Sequence, residues 1–345
     1  MKLPEFFGLD IGNYAIRAVQ VKYTSFGKPD IVSMGEVQMA GTPLNLKDVG
    51  QRYEVIKKII AAQESAEIKT KKVVAALPDS MIFSKIISVP NLQEDKVEQM
   101  LFYELKNHIP VNPSEVQTDY IILGPDPVKP KFIRILLIAA PKSLVELYAN
   151  VLQEAHLEPL ALETETVAVS RIVGHILPMK EPILVADFGH KGVDMCLLKN
   201  HKIMFSQSIG TGSDALSQTL ARDYHIPVQQ AEQYKMKVGL LADQADGKVM
   251  RALAPIMNLI VNEINKLISY IKFNFPEDVP KHIFFVGDGA KLPGLETYLK
   301  TAITLPCTKI DPVSQISMNS KYKKEFSQLG TIGFTLATGL AMKEE

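Results

Sequence analysis

The sequence predicts an α/β protein of two lobes that share one ligand cleft, and three observations predict it. With 345 residues the chain is too long for one ordinary core and long enough for two lobes, each burying its own apolar interior. A β-hairpin unit occurs twice, in FFGLDIGNYAIRAVQVKYTSFGKPDIVSMGEV and again in PILVADFGHKGVDMCLLKNHKIMFSQSIG. Each copy has an apolar strand ending in Asp-x-Gly, an alternating strand, a turn rich in Gly, Lys or Asn, and a third strand. The apolar runs before the acids, Phe6 to Leu9 and Ile183 to Ala186, read as central strands whose ends open on a crevice. Asp10 and Asp187 are therefore expected to face one cleft.

Composition narrows the classes of partner. Lys+Arg total 38 and Asp+Glu total 38, so no global field draws in a polyanion, and no basic run carries interleaved aromatics. Nucleic acid is not an expected partner. Cys196 and Cys307 lie far apart with no His at ligand spacing, which predicts neither a disulfide framework nor a zinc site and suits a reducing cytoplasm. The N-terminal MKLPEFFGLDIG runs directly into an acid-bearing strand, so no cleaved secretory leader is expected. LGTIGFTLATGLAM is shorter than a membrane span and is interrupted by Gly330, Gly333 and Gly339. A soluble chain is expected, with membrane association only through another protein.

Between the two hairpin units, from about Lys72 to Glu165, the sequence predicts a small sandwich-like α+β insert in the first lobe, with strands VVAAL, MIFSKIISV, DYIILG and FIRILLIAAP. One helix follows Glu94 and Asp95 and carries Val97, Met100, Leu101 and Leu105 on one face. Another starts at Ser143 and carries Leu144, Leu147, Tyr148, Val151 and Leu152. Asp126 to Pro130 reads as a hairpin loop. Beyond the second unit, Ser213 is expected to cap a helix and Pro227 to open the next. A long helix then keeps Ile256, Leu259, Ile260, Ile264, Leu267, Ile268 and Ile271 at core spacing. The strand HIFFVG meets the turn GDGAKLPGL and another helix.

Phosphate binding without a Walker loop needs backbone N–H groups turned to the anion, and a tight hairpin after Asp-x-Gly supplies them. Gly12 and Gly189 permit close approach. Asp10 and Asp187, repelled by phosphate, would instead hold waters around Mg²⁺. The transition through Gly287, Asp288, Gly289 and Ala290 offers a surface for a flat purine. Glu232 and Lys235 share a helix face and suit ribose hydroxyls; an exposed i,i+3 ion pair is the plainer alternative. Glu163 and Glu165 alternate with threonines on a strand and point to one side, giving a candidate water-orienting carboxylate or a solvated edge. His190 and Lys191 either add charge near phosphate or are exposed loop residues.

The order of these motifs resembles the actin-like (ribonuclease H-like) ATPase superfamily, a two-lobed fold with duplicated nucleotide-binding subdomains. Within it, MIFSKIISVPNLQEDKVEQMLFYELKNHIPVNPSEVQTDYIILG, IGTGSDALSQTLARDYHIPVQQAEQYK and FFVGDGAKLPGLETYL together resemble the PilM family of type IV pilus assembly proteins, related to the division protein FtsA. The resemblance implies ATP and Mg²⁺ as ligands. It places Asp10, Gly12 and Asn13 in the first phosphate motif, and Asp187 and Gly189 in the second. Gly210 and Gly212 line the cleft, Glu232 and Lys235 meet the ribose, Gly287, Gly289 and Ala290 lie at the adenosine, and Glu163 is the catalytic candidate. Arg17 replaces the common Lys of the ATP site, keeping its charge but not its geometry. Val193 stands where a hydroxyl is usual and Asp288 interrupts the usual Gly run; backbone contacts survive such changes more readily than hydrolysis does.

The implied division is 1–71 for the first part of subdomain 1A, 72–165 for the inserted subdomain 1C, 166–210 for the end of 1A and start of 2A, 211–281 for 2B, and 282–345 for the adenosine part of 2A and the return to 1A. PilM-like proteins bind the short cytoplasmic N-terminus of the membrane protein PilN in the groove between the insert and the first lobe. The resemblance thus implies a cytoplasmic adaptor of the inner-membrane pilus platform, at most a weak ATPase, whose partners are a PilN-like tail and other platform proteins; self-association is compatible with it. Two alternatives stay open. One is a genuine ATP hydrolase or small-molecule kinase using the same cleft, and the other is an FtsA-like division protein. The latter needs a terminal amphipathic helix, which the ending Ala341-Met342-Lys343-Glu344-Glu345 does not resemble.

Overall fold

The computed structural model describes residues 3–39, 44–91, 100, 112–126, 128–326 and 330–344. Its first sheet grows from the N-terminal hairpin unit. The run FGLDI has no polar face, so β1 (Phe7–Ile11) is a central strand, buried throughout. β2 (Ala15–Tyr23) returns antiparallel with Arg17 opposite Asp10, and β3 (Pro29–Gln38) completes the meander. α1 (Val49–Ser65) begins where Asp48 Oδ1 accepts from the Gln51 N–H, and its apolar stripe of Val55, Ile56 and Ile59 joins the core over β1. β4 (Lys72–Leu77) then pairs parallel to β1.

Three strands make a separate antiparallel sheet in the order β5-β7-β6: β5 (Phe83–Pro90), β6 (Val116–Pro125) and β7 (Phe132–Pro141). The Asp126 loop joins β6 to β7 as expected, with Asp126 Oδ1 accepting from the Val128 and Lys129 N–H groups. α2 (Lys142–Glu154) packs Leu144, Tyr148, Val151 and Leu152 into the first-lobe core, and β8 (Glu158–Thr164) pairs parallel to β4. This corrects the expected insert of 72–165. β4, α2 and β8 belong to the first lobe, because a parallel β4–β8 pair needs a crossover whose helix covers the sheet. The separate sheet spans only Phe83–Pro141. The helix expected after Glu94 and Asp95, with Val97, Leu101 and Leu105, lies outside the described residues, Met100 apart.

The second lobe repeats the plan. After α3 (Glu165–Ile176), β9 (Ile183–Phe188), β10 (Val193–Lys199) and β11 (Lys202–Ile209) form the same antiparallel meander. α4 (Ser213–Tyr224), α5 (Val228–Val238) and α6 (Lys248–Asn274) follow. Gly212, not Ser213, is the N-cap of α4; Ser213 is already helical, and its hydroxyl is taken by Lys235. Along α6 the buried face runs through Leu253, Met257, Ile260, Ile264, Leu267 and Ile271. Leu259, expected within it, sits beside that face and is 55% exposed. β12 (Ile283–Val286), α7 (Leu295–Ala302) and β13 (Cys307–Lys309) complete the sheet β11-β10-β9-β12-β13.

The chain then returns to the first lobe through β14 (Ser317–Met318), α8 (Ser320–Glu325) and α9 (Thr335–Ala341), giving the sheet β14-β3-β2-β1-β4-β8. α9 is buried on every side and lies so close to β1 and α3 that a Cβ on Gly8 would overlap the Ala337 carbonyl, and one on Gly339 that of Ala168. Among the described residues no helix is long and apolar enough to cross a membrane. Val74, Ala168 and Val173 of the first lobe share one core with Val185, Cys196 and Val286 of the second. The insert also touches the second lobe, where the Ser84 and Ser206 hydroxyls lie 2.8 Å apart.

Candidate functional site

The two hairpins close their turns in the same way. The Gly12 N–H donates to the Ala15 carbonyl at 3.1 Å, and the Gly189 N–H to the Gly192 carbonyl at 2.9 Å. A Cβ on Gly12 would stand 2.8 Å from the Ala15 oxygen, and one on Gly189 3.0 Å from that of Gly192, so both turns need the bare backbone. Asp10 and Asp187, at the two strand tips, line a single cavity of about 420 Å³ between the lobes. That is the size of a small-molecule site.

Most residues expected at the site meet there. Gly12, Asn13, Arg17, Gly189, Gly210 and Gly287 line the same cavity. Asn13 is fixed by accepting from the Leu44 N–H at 2.9 Å. Gly287 has φ +85°, and a Cβ there would overlap the Asp187 carboxylate, so only glycine fits. An adjoining cavity of about 240 Å³ shares Tyr14, Arg17, His190 and Asp288 with the first and adds Ser213, Glu232 and Met236. Gly212, Gly289 and Ala290 stand behind these walls: Ala290 is 1% exposed, and a Cβ on Gly289 would lie 2.7 Å from the Phe188 carbonyl. Tyr14 and His190, at the two hairpin tips, bring their rings within 5.6 Å.

Lys235 is more deeply placed than an exposed helix pair. It is 0% exposed, and its ammonium donates to Glu232 at 2.7 Å and to the Ser213 hydroxyl at 2.6 Å. Burial lowers its pKa, against the pull of Glu232 and Asp214. Glu163 is not at the cleft. Its carboxylate accepts two hydrogen bonds from Arg171 at 2.9 Å and pairs with Lys343 at 2.6 Å. The strand ends at Thr164, so Glu165 opens α3 and does not share a face with Glu163; it is Glu165 that lines the cavity.

The end of the cavity at the two hairpin turns is an acidic well. Asp10, Glu165, Asp187 and Asp194 all line it. Burial raises Asp10 to about 7, with Arg17 opposing, and burial followed by Asp194 and Asp10 raises Asp187 to about 8. Burial and then Asp194 push Glu165 well above the usual carboxylate range. The cations lining the well are engaged mostly elsewhere: Arg17 with Glu36 and Asp288, each at 2.6 Å, and with Asp10 only at 3.8 Å, and Lys191 with Asp214 at 2.6 Å. Four carboxyl groups beside glycine-lined turns, of which only Asp10 has a cation within reach among the described residues, suit a hard divalent cation with a polyanion. Among the described residues no three acidic, His or Cys side chains converge as direct metal ligands, so such an ion would keep much of its water shell.

Asp194 is the functional candidate that motif reading missed, whereas Glu165 was named there beside Glu163. Asp194 was detectable: it follows Asp187 at the interval by which Arg17 follows Asp10, and antiparallel register sets each opposite its acid.

Comparison with known proteins places this geometry. A family model described as type IV pilus assembly protein PilM matches residues 8–345. A solved PilM-PilN type IV pilus biogenesis complex is similar at a TM-score of 0.85 and 21% identity, covering 98% of each chain. The ethanolamine utilization protein EutJ from Carboxydothermus hydrogenoformans gives a TM-score of 0.56 at 15% identity, over 99% of this chain and 90% of that one. MreB 5 of Spiroplasma citri bound to AMPPNP gives 0.51 at 13% identity, over 94% of this chain and 97% of that one. The fold is the actin-like one, with mixed sheets in two lobes.

Proposed function

The chain belongs to the type IV pilus assembly protein PilM family, and from that premise we propose that it is a nucleotide-binding adaptor of the pilus inner-membrane platform. ATP with Mg²⁺ occupies the cleft, Asp10 and Asp187 hold the ion through water, and the Gly12 and Gly189 turns present N–H groups to the phosphates. Glu232 serves the ribose with the buried Lys235 holding it in place, and the adenosine lies against Gly287, backed by Gly289 and Ala290. The observation that carries this reading is the convergence of two equivalent acid-tipped hairpins on one cavity.

The partner is the N-terminal cytoplasmic tail of a PilN-like membrane protein, which would hold the chain at the inner membrane beside other platform proteins. A second cavity of about 360 Å³ supports this, since it lies where the insert meets both lobes and is walled by Phe83, Leu136, Ile138, Val167 and Phe205. With Ser80, Ser84, Thr166, Ser206 and Gln207 also lining it, the cavity suits a short extended segment that offers both apolar side chains and hydrogen-bonding groups. Nucleotide then acts by favouring one arrangement of the lobes, which requires that it bind that arrangement better than the other.

Titration calorimetry tests both halves. ATP with Mg²⁺ is expected to bind, Asp10→Ala to abolish binding, and a peptide of the PilN-like tail to bind with an affinity that differs between nucleotide-free and ATP-loaded protein. No heat from the peptide in either state would overturn the adaptor reading. Turnover is expected to be weak: Glu165, a carboxylate placed at the start of α3 to orient water, already accepts from the Asp79 N–H at 3.1 Å.

A further inference from the structure

Arg17 and Asp288 come from different lobes, the first from β2 and the second from the turn after β12. Their Nη2–Oδ2 distance is 2.6 Å, and both line the two cavities of the cleft, so the ion pair stands as a bar between them. Arg17 is 4% exposed and fully committed: its Nε donates to Glu36 at 2.6 Å, its Nη1 stands 3.8 Å from Asp10 Oδ2, and its guanidinium lies 5.4 Å from the centre of the Phe334 ring. Asp288 is also held by Lys291 at 2.9 Å. The bar is closely covered, since a Cβ on Gly333 would overlap the Asp288 carboxylate and stand 3.0 Å from the Arg17 guanidinium. Two other acids of the cleft, Asp10 and Asp187, face the same space with raised pKa values, while Arg17 and Lys291 outweigh burial and hold Asp288 below the usual range.

A guanidinium clamped by carboxylates in a site suited to phosphate has two chemically equivalent choices, because carboxylate and phosphate oxygens match the same planar fork. We propose that Asp288 is a built-in competitor for the phosphate tail of a nucleotide: it holds Arg17 across the cleft, keeps the two lobes together without ligand, and is exchanged for a phosphate on binding. This rests on the nucleotide reading of the cleft and adds its regulation. Glu36 plays no part in the exchange, since it belongs to β3 of the same lobe as Arg17.

Two readouts on the full chain test it. In Asp288→Asn without nucleotide, hydrogen exchange at the Gly12–Tyr14 and Gly189–Gly192 turns is expected to quicken by at least about fivefold as the lobes part. A fluorescent ATP analogue with Mg²⁺ is expected to bind that variant about tenfold more tightly, because a competing anion is gone. Glu36→Gln removes the same charge from the same guanidinium within one lobe and is expected to leave turn exchange unchanged. Gly333→Ala, which displaces the bar sterically, is expected to quicken exchange as Asp288→Asn does and guards against a misfolded first variant. Parent protein that binds the analogue, with Asp288→Asn binding no more tightly or exchanging no faster, overturns the competitor role alone. Failure of both proteins to bind the analogue overturns the nucleotide reading, and the competitor role with it.

Discussion

Asp187 and Asp194 face each other across the antiparallel ladder of the second hairpin, at the position where the first hairpin sets Arg17 against Asp10. One repeat unit is therefore charge-balanced and the other is not. Asp194 also accepts from the Ser208 hydroxyl, which keeps its carboxyl oriented along the sheet.

The stability of the ligand-free protein is expected to fall as pH rises. Asp10 and Asp187 are raised from 3.8 to about 7 and about 8. The folded state then binds protons that the unfolded chain has released, so the stability they lend is full below pH 4 and is lost progressively up to about pH 8. Thermal melting between pH 5 and 9 without Mg²⁺ checks this. Asp187→Asn should flatten the slope; a variant with the parent's slope would show that Asp187 does not titrate in this window.

The two glutamates flanking Thr164 should separate cleanly by substitution. Glu163 holds Arg171 and Lys343 with only 10% of its side chain exposed. Glu163→Gln is expected to cost about 1–3 kcal/mol in urea unfolding, because two cations lose a partly buried partner, while nucleotide affinity stays put. Glu165→Gln is expected to change Mg²⁺-nucleotide affinity severalfold and leave stability equal or higher. Reversed outcomes in calorimetry would return the water-orienting role to Glu163.

Lys235 anchors α5 to the start of α4 from a fully buried position. Lys235→Met leaves Glu232 beside Ser217 without its cation. A loss of about 1–3 kcal/mol is expected, softened because Glu232 retains some access to water. Adding Glu232→Gln to the same chain should recover part of it. A double variant no more stable than the single one would mean that Lys235 acts through packing.

The repeated hairpins were legible because their signals are local: a run without polar residues, an Asp-x-Gly tip and an alternating return strand. The extent of the insert was not legible. Whether VVAAL joins the insert or the first sheet depends on its pairing with β1 and β8, and such pairing over a long separation leaves no periodic trace in either strand. The exposure of Leu259 illustrates the same limit on a helix, since neighbours along one stripe differ in what covers them.

By itself the sequence determined that two like hairpins would carry an acid each to the edge of a cleft, since period-two alternation and glycine at the turn are properties of a few adjacent residues. Only the tertiary structure decided which glutamate enters that cleft, because alternation ends where Thr164 accepts from the Val167 N–H and the strand becomes a helix. It alone also decided that Arg17 would answer to Asp288. Charge pairing across two lobes follows from where each sheet edge comes to rest, and no spacing along the chain encodes that distance.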